Sequence, residues 1–96
     1  MEIVKLNNRY LLGREGYTHA LRFTIHTDPY YKKKTKVIRL LEQLYGNGTY
    51  LFGTRFYRGD TSTWATYTYH RSAGGTQYYV GVKDESMLTA VLLMVE

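Results

Sequence analysis

Lys32, Lys33, Lys34 and Lys36 crowd five consecutive positions of the run "YYKKKTKVIRLLEQLYG", and Arg39 follows one helical turn later. Cations at the start of a helix oppose its macrodipole and repel one another, so helix stability does not explain the cluster. A solvated charged face is the plain reading. The chemical reading is an edge that contacts phosphates, in which each neutralised phosphate adds salt-dependent affinity. A second group follows in "TRFYRGDTSTWATYTYHR", where Arg55, Arg58 and Arg71 alternate with tyrosines, among them Tyr67 and Tyr69. Guanidinium groups interleaved with flat rings suit single-stranded nucleic acid, whose bases stack on aromatic faces while arginines meet the backbone. Cross-strand tyrosines also stabilise an exposed sheet without any ligand.

Other chemistry is thin. His19, His26 and His70 do not have ligand spacing, and eight acidic residues leave few carboxylates to complete a metal site. No metal, no cofactor and no catalytic residue is expected, although a small hydrolase or nuclease using histidine stands as a third function class. The tripeptide Arg58-Gly59-Asp60 reads as turn chemistry between two strands rather than a cell-adhesion signal. Asn47-Gly48-Thr49 has the form of a glycosylation sequon, which matters only in a secreted protein.

These groups need elements to hold them. "MEIVKL" reads as a short strand and Asn7-Asn8 as a tight turn, with Gly13 and Gly16 bracketing a second turn after "RYLL". In "HALRFTIHT" a period of two sets Leu21, Phe23 and Ile25 on one face and Arg22, Thr24 and His26 on the other. Asp28-Pro29 opens a helix of about 29–45, with Asp28 as N-cap, Val37, Leu40, Leu41 and Leu44 as its apolar stripe, and Gly46 as a left-handed C-cap. The runs "TYLFGTRFYR", "STWATYTYHR" and "TQYYVGVK" then predict an antiparallel meander, with Gly53 and Gly81 marking bulges or close backbone approach and Gly74-Gly75 a hairpin tip. For "DESMLTAVLLMVE" the preferred reading is a short helical turn after Asp84 and a final buried strand from Ala90 to Val95; one continuous helix is the alternative. The fold class is therefore α+β: an antiparallel sheet of about five to six strands with one long amphipathic helix packed on one face. One helix covers one face only, so Trp64 is expected beneath it and Tyr67 and Tyr69 on the far side.

Ninety-six residues predict a single domain, and absent cysteines exclude disulfides, thiolate metal sites and cysteine nucleophiles. "MEIVKLNNRY" lacks the features of a signal peptide and no apolar run is long enough to span a bilayer, so the expected setting is cytoplasmic with no membrane partner. A net charge of +5 and eleven tyrosines favour an anionic partner, nucleic acid first. The helix end "LLEQLYGNGTY", the aromatic strands after it and the closing "YYVGVKDESMLTAVLLMV" resemble small uncharacterised accessory proteins of tailed bacteriophages. That resemblance covers the last half of the chain and implies a viral accessory factor in the host cytoplasm, with no functional residues carried over.

The expected function is binding, without catalysis, of nucleic acid. Lys32, Lys33, Lys34, Lys36 and Arg39 would contact phosphates, and Arg55, Arg58, Tyr67, Tyr69 and Arg71 would form the sheet platform. The alternative is a protein–protein inhibitor or assembly module that uses the same tyrosine-rich surface against a host protein. An exposed sheet edge also leaves room for a homodimer.

Overall fold

The computed structural model describes residues 2–24, 26–51, 56–71 and 75–95, with backbone alone at 51, 70 and 71. Six strands form one sheet: β1 (Glu2–Lys5), β2 (His19–Thr24), β3 (Gly48–Leu51), β4 (Phe56–Gly59), β5 (Trp64–Arg71) and β6 (Gly75–Val82). Their order is β1-β2-β6-β5-β4-β3, and every neighbouring pair is antiparallel. Three helices accompany them: α1 (Leu11–Arg14), α2 (Lys32–Tyr45) and α3 (Glu85–Val95). The α+β architecture expected from the sequence is thus the observed one.

Period-two alternation divides the strand residues between two apolar clusters. Leu21, Phe23, Trp64, Val80 and Val82 pack with Val37 and Leu41 of α2 and with Met87, Leu88 and Val91 of α3. Their in-between neighbours Ala20, Ala65 and Tyr79 point the other way and pack with Phe56, Leu12 and Tyr17. Trp64 is fully buried in the helix-side cluster, as its place in the strand pattern requires. The far face is not bare, however. The segment from Leu6 to Tyr17, with α1 at its centre, folds back across it and buries Leu12 and Tyr17.

The start of α2 follows the sequence reading with one change. Pro29 begins a single 3₁₀ turn, Tyr30 and Tyr31 take left-handed φ values of 59° and 51°, and the α-helix proper begins at Lys32. Asp28 still satisfies the helix start, by reaching forward over this turn. Its two carboxylate oxygens accept the backbone N–H groups of Lys33 and Lys34 at 2.9 Å each. Those are the second and third N–H groups of the helix, which otherwise lack partners. At the other end Gly46 has a positive φ of 96°, but its ψ of 159° lies outside the left-handed helical well.

Three expectations are corrected. The final strand from Ala90 to Val95 does not exist; α3 is one helix. Asp84 starts it by accepting the Ser86 N–H at 3.0 Å, and Met87, Leu88 and Val91 then reach the core at helical spacing. A terminal strand beside β6 has no place, because β2 and β5 already pair with its two edges. The run "TYLFGTRFYR" is not one strand but two, since β3 and β4 pair antiparallel with Leu51 opposite Phe56. Ile25, Gly53 and Gly74 lie outside the described residues. His26, expected to continue β2, sits in the turn that follows it.

Candidate functional site

The α2 lysines divide by exposure. Lys32, Lys33, Lys36 and Arg39 are exposed on the helix. Lys34 is half-buried, with its Nζ 3.7 Å from the Tyr78 ring centroid and 5.2 Å from that of Tyr31. The Tyr31 and Tyr78 rings meet edge-on at 4.6 Å, so the ammonium is held against an aromatic pair. Burial pushes the Lys34 ammonium below its ordinary pKa, and the nearby Asp28 carboxylate opposes that shift. Lys34 is therefore occupied within the fold and stands apart from the four solvent-facing cations of the helix.

The sheet group lies on the opposite side of the molecule. Tyr67 and Tyr69 alternate with Trp64, Thr66 and Thr68, and Tyr67 packs with the far-face cluster. Tyr67 is half-buried and Tyr69 is exposed, with their rings 6.4 Å apart. Arg58 shares this face, but it sits toward the β4–β5 turn, opposite Ala65 in the register. Its charge acts on Tyr17, whose phenol is pushed up by burial, pulled partly back by Arg58, and raised again by Glu15. Arg55 lies outside the described residues, as does the side chain of Arg71, whose backbone pairs with Gly75 at the end of β5. The six-stranded sheet thus separates the lysine edge from the tyrosine face, and they do not form one continuous surface.

The tyrosines have partners that the sequence reading missed. The Leu6–Tyr17 segment overlies the strands and leaves a cleft of about 260 Å³. Tyr67, Tyr69 and Tyr79 of the sheet form part of its lining, and Arg9, Tyr10 and Arg14 line it from the overlying segment. Leu6, Leu11 and Leu12 supply the apolar remainder. Tyr10 leans on Tyr79 with ring centroids 5.7 Å apart, so an aromatic contact ties the overlying segment to the sheet. The Tyr79 hydroxyl donates to the Gln77 side-chain oxygen at 3.2 Å. Arg9 and Arg14 are exposed, and neither forms an ion pair with a carboxylate among the described residues; Arg22, by contrast, pairs with Glu2.

Local sequence explains why the segment lies where it does. Leu6 N–H donates to Thr18 O at 2.8 Å, and Tyr10 N–H donates to Asn7 O at 3.1 Å, closing a turn that carries the chain onto the sheet. Gly13 is required by this packing, because a side-chain carbon there would overlap the Asn7 carbonyl. Gly81 of β6 provides the floor, and a Cβ added there would stand 3.0 Å from the Leu12 side chain. The neighbour that crowds Gly81 is a side chain rather than the bulge or close backbone approach expected there, since the strand register runs through it unbroken opposite Ala20 and Ala65. The legible signal was "RYLLG": two leucines inside an otherwise polar connection must be covered, so the flanking Arg9 and Tyr10 are carried to the sheet with them.

Among the described residues no cluster of three or more His, Asp or Glu side chains is placed to hold a metal ion. None of the helices described is long and apolar enough to cross a membrane. Comparison with protein-family models, with curated proteins and with solved structures finds no match to this chain.

Proposed function

We propose that the protein is a small non-catalytic binding protein that engages single-stranded nucleic acid in the tyrosine–arginine cleft. The observation that carries this reading is the convergence of Arg9, Arg14, Tyr10, Tyr67, Tyr69 and Tyr79 on one concavity of about 260 Å³. Bases stack on aromatic faces at a value of about 1–3 kcal/mol each, and guanidinium groups with no carboxylate ion pair among the described residues are available to phosphate oxygens. A net charge of +5 draws a polyanion toward the molecule from any direction. The exposed Lys32, Lys33, Lys36 and Arg39 contribute to that field from the helix side, and Lys34 contributes little direct contact because its ammonium is engaged by Tyr78.

The competing reading, capture of a host protein by the same tyrosines, is less well matched to a concave site with apolar walls and cationic side chains. A stable protein interface asks for roughly 800 Å² on each partner, most of it well packed. A viral setting in a host cytoplasm is part of this proposal and rests on the resemblance read from the sequence of the chain's second half alone.

The test is a titration against fluorescently labelled single- and double-stranded oligonucleotides at low and moderate salt. Single strands should bind more tightly than duplex, and Tyr67→Ala should remove that preference. Absence of binding even at low salt overturns the reading.

A further inference from the structure

We infer that the cleft is built for one nucleotide unit bearing a phosphate monoester, either a free nucleoside monophosphate or a phosphorylated strand end. The inference rests on the nucleic-acid reading of the same cleft and narrows it. Its first support is size: about 260 Å³ falls just below the roughly 300–1,000 Å³ of pockets that enclose drug-sized ligands. Such a space takes one nucleotide and not a run of stacked bases. The second support is the arrangement of its walls. Tyr67 and Tyr69 come from the sheet, and Tyr10, held to Tyr79, comes from the segment above. A planar base thus meets aromatic groups from two layers of the structure rather than an open platform along which a strand could continue.

The third support is charge. Two exposed arginines, Arg9 just before the single turn of α1 and Arg14 at its end, line the same cleft without a carboxylate counter-ion among the described residues. An internal phosphodiester carries one negative charge, whereas a monoester carries about −1.5 to −2 at neutral pH. Two guanidiniums match the dianion, and each presents planar, directional N–H donors to its oxygens. A terminal or free phosphate therefore uses both arginines where an internal diester leaves charge in excess.

Calorimetric titration of the full chain tests this with AMP and UMP, with adenosine and uridine, and with hexathymidylate carrying a phosphate at its 5′ end, its 3′ end or neither. The nucleotides should bind about tenfold or more tightly than the nucleosides, as expected for charge-assisted hydrogen bonds. That advantage should grow between about pH 5 and about pH 7, as the monoester loses its second proton. Arg9→Gln and Arg14→Gln alter exposed side chains and should each reduce the advantage while leaving the melting temperature unchanged. A preference for a phosphorylated end identifies strand ends as the ligand; nucleotide binding without that preference identifies free nucleotides. Equal affinity for nucleotides and nucleosides, or binding of neither, overturns the inference. If unphosphorylated hexathymidylate then still binds in a Tyr67-dependent manner, the broader nucleic-acid reading survives. If AMP binds but no oligonucleotide does, the single-nucleotide site stands and the broader reading falls.

Discussion

At the scale of single residues, tyrosines outside the cleft report on the fold. Burial raises the phenol pKa of Tyr17, with Arg58 opposing and Glu15 reinforcing the shift, and burial likewise raises Tyr31 and Tyr57. A phenol whose folded pKa is raised keeps its proton longer in the folded chain than in the unfolded one. Its stabilising effect is complete below the ordinary value of 10.0 and is lost as pH rises through the higher folded value. Urea midpoints should therefore fall above about pH 10, and Tyr17→Phe should make that fall shallower. A fall of the same steepness in the variant would remove Tyr17 from the account. Lys34 works in the opposite direction. Its folded pKa is lowered by burial, so its ammonium burdens the fold at neutral pH, and the burden lifts as pH rises from the folded toward the ordinary value of 10.5. In the site itself, Tyr67→Ala should weaken single-strand binding by about 1–3 kcal/mol in a fluorescence titration, the usual value of one stacked base.

At the scale of elements, the overlying segment and the start of α2 are the two places where one residue decides the geometry. Gly13→Ala sets a methyl group against the Asn7 carbonyl and should cost about 1–3 kcal/mol in chemical denaturation while also weakening ligand binding, because Arg9, Tyr10 and Arg14 move with the segment. Asp28→Ala removes the acceptors of two backbone N–H groups and should cost about 1–2 kcal/mol without affecting the cleft on the opposite face. The same elements show how far the sequence could be read. Alternation in "HALRFT" and "TWATYTY" placed Leu21, Phe23 and Trp64 inward and Tyr67 and Tyr69 on the other face, because a strand's period of two is a local property. The tail is not legible locally, because Ala90–Val95 is uniformly apolar and carries no period. What decides is that a helix carries Met87, Leu88 and Val91 onto the core beside α2, and that is a tertiary fact. Arg9 and Arg14 were overlooked for a similar reason. The strand residues that share the cleft with them lie more than fifty residues along the chain, and nothing local to "RYLLGREG" names those strands.

At the scale of the whole molecule, one sheet carries two faces that are covered differently. Helices α2 and α3 seal the first around Trp64, and the shorter Leu6–Tyr17 segment covers the second incompletely, so the cleft arises where the cover stops. The exposed lysines of α2 lie on the sealed side, and on the proposed reading they would contribute long-range attraction alone. Replacing Lys32, Lys33 and Lys36 together by Ala lowers the net charge by three. It should weaken binding of single strand and duplex alike and flatten the salt dependence, while leaving the preference for single strands intact. The most direct test of the account is a map of where the ligand lies: two-dimensional amide NMR spectra of the protein titrated with hexathymidylate. The cleft account predicts shifts centred on Arg9–Arg14, Tyr67, Tyr69 and Tyr79. Shifts confined to the Lys32–Arg39 stretch of α2, or no shifts at all, would contradict it.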